Sequence, residues 1–205
     1  MKKILTIVIL IAILPVWSFS QSKYTLSDVR NARSMIWFGL DFSQARFYGP
    51  FMDREKILSF DIEAWNTAFV EGKVSLFPTD LKKLLGLDYV FIDLSVVNQR
   101  NSNIQIGDLF GNNDKEQLQI TEDKIEKIVK KYKPNEKDGI GMVIIVERFD
   151  KTTELADFWV TYFNPVTKNV IRTRKYTAKA SGAGIKHWCS PIVTILGEIR
   201  KNGIY

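Results

Sequence analysis

Three stretches constrain this chain more than anything else in it: "SMIWFGLD" from Ser34, "DYVFID" from Asp88 and "GIGMVIIVERFD" from Gly139. Each is a near-continuous block of β-branched and aromatic residues, the composition of a buried strand. Buried strands need covering elements, and the intervening segments supply them. "DREKILSFDIEAWNTAFVEG" places Leu58, Ile62, Trp65 and Phe69 on one helical stripe, with Asp53 as N-cap and Gly72 as stop. "FPTDLKKLLGL" reads as a shorter helix between a Thr79 cap and Gly86. In "TEDKIEKIVKKYKP" acids fill the first turn and lysines the last, matching the helix dipole, while Ile125, Ile128, Val129 and Tyr132 share a face.

The rest of the chain changes character. The second strand is expected to run on through Val97 and to give way to a polar loop over 98–119, with weak strand potential only around Ile104–Ile106. A hairpin is expected after the third strand, with arms over 158–163 and 170–179 and a turn at 164–169. A last helix is expected from Pro191 to Asn202, with Ser190 as its N-cap and Gly203 as its terminator. The order β-α-α-β-α-β-β-β-α predicts an α/β (α+β) fold. It consists of a mixed sheet of five or six strands covered by about four helices, ending in a hairpin followed by a helix.

The opening "MKKILTIVILIAILPVWSFSQS" has two lysines, an apolar run cut short by Pro15, then Ser18 and Ser20. That order is a secretory signal peptide over 1–20, cleaved between Ser20 and Gln21, and the run is too short for a stable membrane span. No internal repeat or linker divides the remainder, so 21–205 is expected to be a single globular domain in the periplasm or secreted. The formal net charge is +6, without a basic tract interleaved with aromatics, which argues against nucleic acid as a partner. With one cysteine the chain has no internal disulfide and depends on its core.

Three groups of residues invite chemistry. The single histidine and single cysteine, His187 and Cys189, sit two apart in "SGAGIKHWCSPI". A Cys–His nucleophile needs both groups in hydrogen-bond reach, and residues two apart point to different sides of a helix. The preferred reading makes Trp188 and Cys189 a buried anchor just before the last helix, with His187 near the surface. A glycine-rich turn before a helix can also present N–H groups to an anion. Gly182, Gly184, Lys186 and His187, with Arg172 and Arg174 on the preceding strand, are therefore candidate binding residues. On that strand Arg172 and Arg174 share one face, and Ile171, Thr173, Lys175 and Lys179 the other. Asp41, Asp93 and Glu147 each follow an apolar strand run, and converging strand-end carboxylates would hold a divalent cation or perform acid–base work. No cofactor motif is present. The aromatic segment "ARFYGPF" is expected to pack in the core rather than to form an exposed patch.

A buried strand, an amphipathic helix, further strands, the hairpin "FWVTYFNPVTKNVIRTRKYTAKASGAG" and a closing helix resemble, in element order, small envelope domains. These are the N-terminal domain of TolB-type proteins and the CsgG-type or auxiliary-lipoprotein domains. The pattern is equally similar to single-domain secreted proteins of Gram-negative bacteria. The expected function is that of a non-enzymatic envelope domain that binds a protein partner. A hydrolase or metal-dependent enzyme using the strand-end carboxylates, and a small-anion-binding protein, stay open as alternatives.

Overall fold

The structure, a computed structural model, describes residues 24–70, 80–110 and 119–203. The expected signal peptide, the Gly72 stop and the Thr79 cap lie outside the described residues. The order is α1 (Leu26–Arg30), β1 (Ser34–Asp41), β2 (Arg46–Tyr48), α2 (Arg54–Lys56), a π-helical turn (Ile57–Asp61) and α3 (Ile62–Ala68). There follow α4 (Leu81–Leu85), β3 (Tyr89–Ile92), α5 (Ser95–Asn101), α6 (Ile106–Phe110), α7 (Glu122–Lys130), β4 (Gly141–Asp150), β5 (Leu155–Phe163), β6 (Val170–Lys179) and α8 (Ile185–Asn202).

The strands form a six-stranded mixed sheet in the order β3-β1-β4-β5-β6, with β2 paired to the far end of β4. β3, β1, β4 and β2 run parallel, and β4, β5 and β6 form an antiparallel meander. Alternation along each strand divides the core in two. Met35 and Trp37 of β1 and Met142, Ile144 and Val146 of β4 meet α3, α4 and α8 on one face. Ile36 and Phe38, with Val143 and Ile145, meet α5 and α7 on the other. The expected mixed sheet under helices is observed, and its hairpin turn falls at 164–169, where Asn164 Oδ1 accepts from the N–H of Val166 and Thr167.

Several expectations need correction. Val96 and Val97 belong to α5 rather than to a strand, because both side chains are buried in the second core cluster. The expected loop after them begins instead with the rest of α5 and with α6. Of that loop, 111–118 lie outside the described residues. Asp53 occupies the N-cap position of α2 but in left-handed backbone, without a side-chain cap, and α4 is capped by Asp80, whose side chain accepts from Lys83 N–H. The π turn moves the apolar stripe by one residue. Ile62 N–H reaches back to Ile57 O, so Ile57 is buried in register with Ile62 and Trp65, while Leu58 is half-buried. Ile171, expected beside Lys175, packs with the first cluster because the β5–β6 register shifts between Tyr162 and Phe163.

The largest correction concerns α8, which starts at Ile185, so His187, Cys189, Ser190 and Pro191 all lie inside it. A mid-helix proline removes the N–H that would bond the carbonyl four residues back. Here that carbonyl belongs to His187, and Ser190 Oγ donates to it instead, at 2.9 Å.

Candidate functional site

In a sheet whose crossovers leave from neighbouring strands in opposite directions, ligands bind in the crevice beyond the strand carboxyl ends, at the switch point. Here the chain passes from β1 outward to β3 and then back across to β4, so the switch point lies at the end of β1. The crevice is filled by the chain itself. Gly39 takes φ +92 at a register shift in β1, and a Cβ there would collide with Asn66 Oδ1. Asn66 of α3 accepts from Leu40 N–H at 2.7 Å and donates to Leu40 O at 3.0 Å. Asn101 of α5 accepts from Phe42 N–H at 2.8 Å and donates to the same Leu40 carbonyl at 2.9 Å. Two buried amides thus satisfy the backbone that leaves the ladder, and β2 resumes pairing with β4. Neither asparagine stood out in the sequence, where only their place on helices flanking β1 would have marked them.

The strand-end carboxylates are staggered. Asp93 N–H donates to Trp37 O, which sets Asp93 level with Phe38. Asp41 therefore lies about 10 Å further along the sheet, and Glu147, two residues past the Ile145 partner of Asp41, about 7 Å beyond that. Each is satisfied separately. Asp41 is fully buried and accepts from Arg100 Nε at 2.8 Å, Tyr132 Oη at 2.7 Å and Ser43 N–H at 2.9 Å. Glu147 accepts from Trp159 Nε1 at 2.7 Å and Lys175 Nζ at 2.6 Å. Asp93 accepts from the Ser95 side chain and from the N–H groups of Asn135 and Glu136 at 2.9 and 3.0 Å. Burial works to raise the Asp93 pKa, but those donors outweigh it and hold the carboxyl below its ordinary value. No group of three or more His, Cys, Asp or Glu side chains among the described residues is placed to hold a metal ion.

Gly182, Gly184 and His187 line one cleft of about 500 Å³ at the start of α8, together with Lys56, Lys151 and Glu154. Arg172, Arg174 and Lys186 are not part of its lining. The imidazole is held at both nitrogens: Nε2 lies 2.6 Å from Glu154 Oε2, and Nδ1 lies 3.1 Å from Gly182 O. It ties the glycine turn to the β4–β5 connection. Trp188 stacks on Phe149 with ring centroids 4.5 Å apart, and Cys189 is fully buried. Burial pushes the Cys189 thiol up to about 12. The anchor reading of Trp188 and Cys189 therefore holds, although both sit within the helix. Phe47 and Phe51 likewise lie in the core.

The two edges of the sheet differ. β6 carries Arg172, Arg174, Lys175 and Lys179, the charged dressing that keeps an edge from pairing. β3 carries no charge at all, and Tyr89, Phe91 and Ile92 are 68%, 51% and 43% exposed. The N–H groups of Tyr89 and Asp93 bond Arg33 O and Trp37 O, so the odd-numbered residues face β1 and the N–H and C=O of Val90 and Ile92 point outward. Beside Phe91 lies a cleft of about 600 Å³ whose charged lining is Asp28, Arg33, Glu136 and Asp138. Among the described residues no helix is long and apolar enough to cross a membrane.

No protein-family model matches the chain, and no curated protein matches it. The element-order resemblance to TolB-type and CsgG-type domains therefore draws no support from sequence comparison. Among solved structures the chain is similar to the LpoB C-terminal domain from Salmonella enterica, at 9% identity and a TM-score of 0.29. The match covers 75% of this chain and 92% of that one. A likeness at that level carries no argument about function.

Proposed function

We propose that this protein is a non-enzymatic, exported binding domain that recruits a protein partner by strand addition at β3. The reading takes residues 1–20 as a cleaved signal peptide and 21–205 as one domain working in the periplasm or outside the cell. The observation that carries it is the uncharged, apolar outer edge of β3, in a sheet whose other edge is defended by four basic side chains. An extended segment laid along β3 would take main-chain hydrogen bonds from Val90 and Ile92 and pack alternate side chains on Tyr89 and Phe91. The neighbouring cleft has three acids and one arginine, so the matching segment is apolar with a basic residue. The separately satisfied carboxylates and the buried thiol give an enzymatic reading no comparable support.

The test is photocrosslinking in cells, with a benzophenone side chain placed at Phe91 or, as control, at Lys175 of β6. Adducts to another protein from the Phe91 position, lost when Ile92→Pro removes an outward donor, are the expected result. Equal adducts from both edges, or adducts only to a second copy of this chain, would refute strand addition by a separate partner.

A further inference from the structure

A third cleft, of about 610 Å³, opens between α1, the end of α4 and the last turns of α8, and no residue of β3 lines it. Its size falls within the range of small-molecule sites, about 300–1,000 Å³. Its walls include Met35, Leu87, Leu196 and Ile199, all buried in the first core cluster. Its only charged lining residues are Arg30 and Arg200, both exposed, and no acid belongs to the lining. The Arg200 guanidinium donates one bond, to Lys83 O at 2.6 Å, and forms no ion pair among the described residues. Four of its five donors are therefore uncommitted.

The lining also includes Tyr162 of β5, which is 2% exposed. Its hydroxyl makes no hydrogen bond among the described residues, although buried tyrosines ordinarily find one. Burial, with a smaller contribution from Tyr176, pushes this phenol well above its ordinary pKa, so it stays an uncharged O–H donor. The cleft thus combines apolar walls, an unpaired hydroxyl on a nearly buried ring, and exposed cationic side chains.

We infer that this cleft binds a small amphipathic carboxylate: an apolar body between α1 and α8, its acid on the uncommitted donors of Arg200, and a second polar group bonded to the Tyr162 hydroxyl. The site is independent of the β3 edge and stands or falls without it. Neither a cation nor a fully apolar molecule satisfies all three features, since the first meets two guanidiniums and the second leaves the phenol unpaired.

Calorimetric titration of the full mature protein with 8-hydroxyoctanoate, octanoate and octylammonium tests the inference. Both acids are expected to bind, the hydroxylated one more tightly, and the amine not at all. Arg200→Gln keeps a donor for Lys83 O and should weaken both acids about tenfold or more. Tyr162→Phe loses no hydrogen bond within the protein, so its melting temperature should not fall, and it should erase the preference for the hydroxylated acid while leaving octanoate unchanged. Binding of octylammonium as tight as that of octanoate, survival of the preference in Tyr162→Phe, or no heat from either acid at millimolar concentration would overturn it.

Discussion

Arg100→Ala isolates what the carboxylate at the end of β1 does. Asp41 is fully buried, and its cationic partner is Arg100, whose side chain is 20% exposed and reaches it across the second core from α5. Breaking a buried pair by removing one partner costs about 3–5 kcal/mol, because the remaining charge keeps its desolvation penalty. For a domain of this size, about 2–4 °C of melting temperature accompanies each kcal/mol, so the variant should melt about 6–20 °C lower. Tyr132→Phe removes the 2.7 Å bond to the same carboxylate and should cost about 1.5–3 kcal/mol, the worth of a hydrogen bond to a charged group. The double variant Asp41→Asn/Arg100→Met discharges both sides and should recover much of the Arg100→Ala loss. Thermal and urea unfolding followed by tryptophan fluorescence measures all three. A loss below about 1 kcal/mol for Arg100→Ala would refute the account, since only a solvated, and hence available, carboxylate tolerates the loss of its cation so cheaply.

Two further outcomes follow. The donors around Asp93 hold its folded pKa below the unfolded value of about 3.9, so its contribution is fully present above about pH 4 and is lost as pH falls through the folded pKa. The stability gap between the native protein and Asp93→Asn should be constant near pH 7 and close in acid urea titrations; a gap that widened on acidification would contradict this. The Cys189 thiol, buried and pushed up to about 12, should react with a disulfide reagent at pH 8 only as fast as the protein unfolds. Complete labelling within seconds in native buffer would count against its being buried.

Much of the sheet was legible in the sequence because β1, β4, β5 and β6 are each eight to ten residues long and the last three pair with their neighbours in the chain. The blocks that became β1 and β4, the β5–β6 hairpin and the dipole-ordered α7 all carry their signal locally. What escaped depends on distant contacts. Val96 and Val97 favour a strand by propensity, yet burial against Ile36 and Phe38 holds them in a helix. Ser190-Pro191 reads as a helix start, but the same serine, by bonding His187 O, lets the proline sit inside α8. Acids after apolar runs do mark strand ends. Their convergence, however, depends on register between strands, and Asp93 level with Phe38 and Asp41 level with Ile145 cannot be read from either run alone. The β3 edge was hidden for the same reason: "YVFI" looks like a buried strand until the sheet order places it last.

The open β3 edge on which the proposed recruitment depends is tested most directly by backbone amide exchange, residue by residue, on the isolated protein. The inward N–H of Phe91 should be protected, while those of Val90 and Ile92 exchange at rates close to those of unstructured chain. Strong protection of Val90 and Ile92 in the isolated, monomeric protein would show that the edge is already covered, and the proposed mode of binding would have no surface to use.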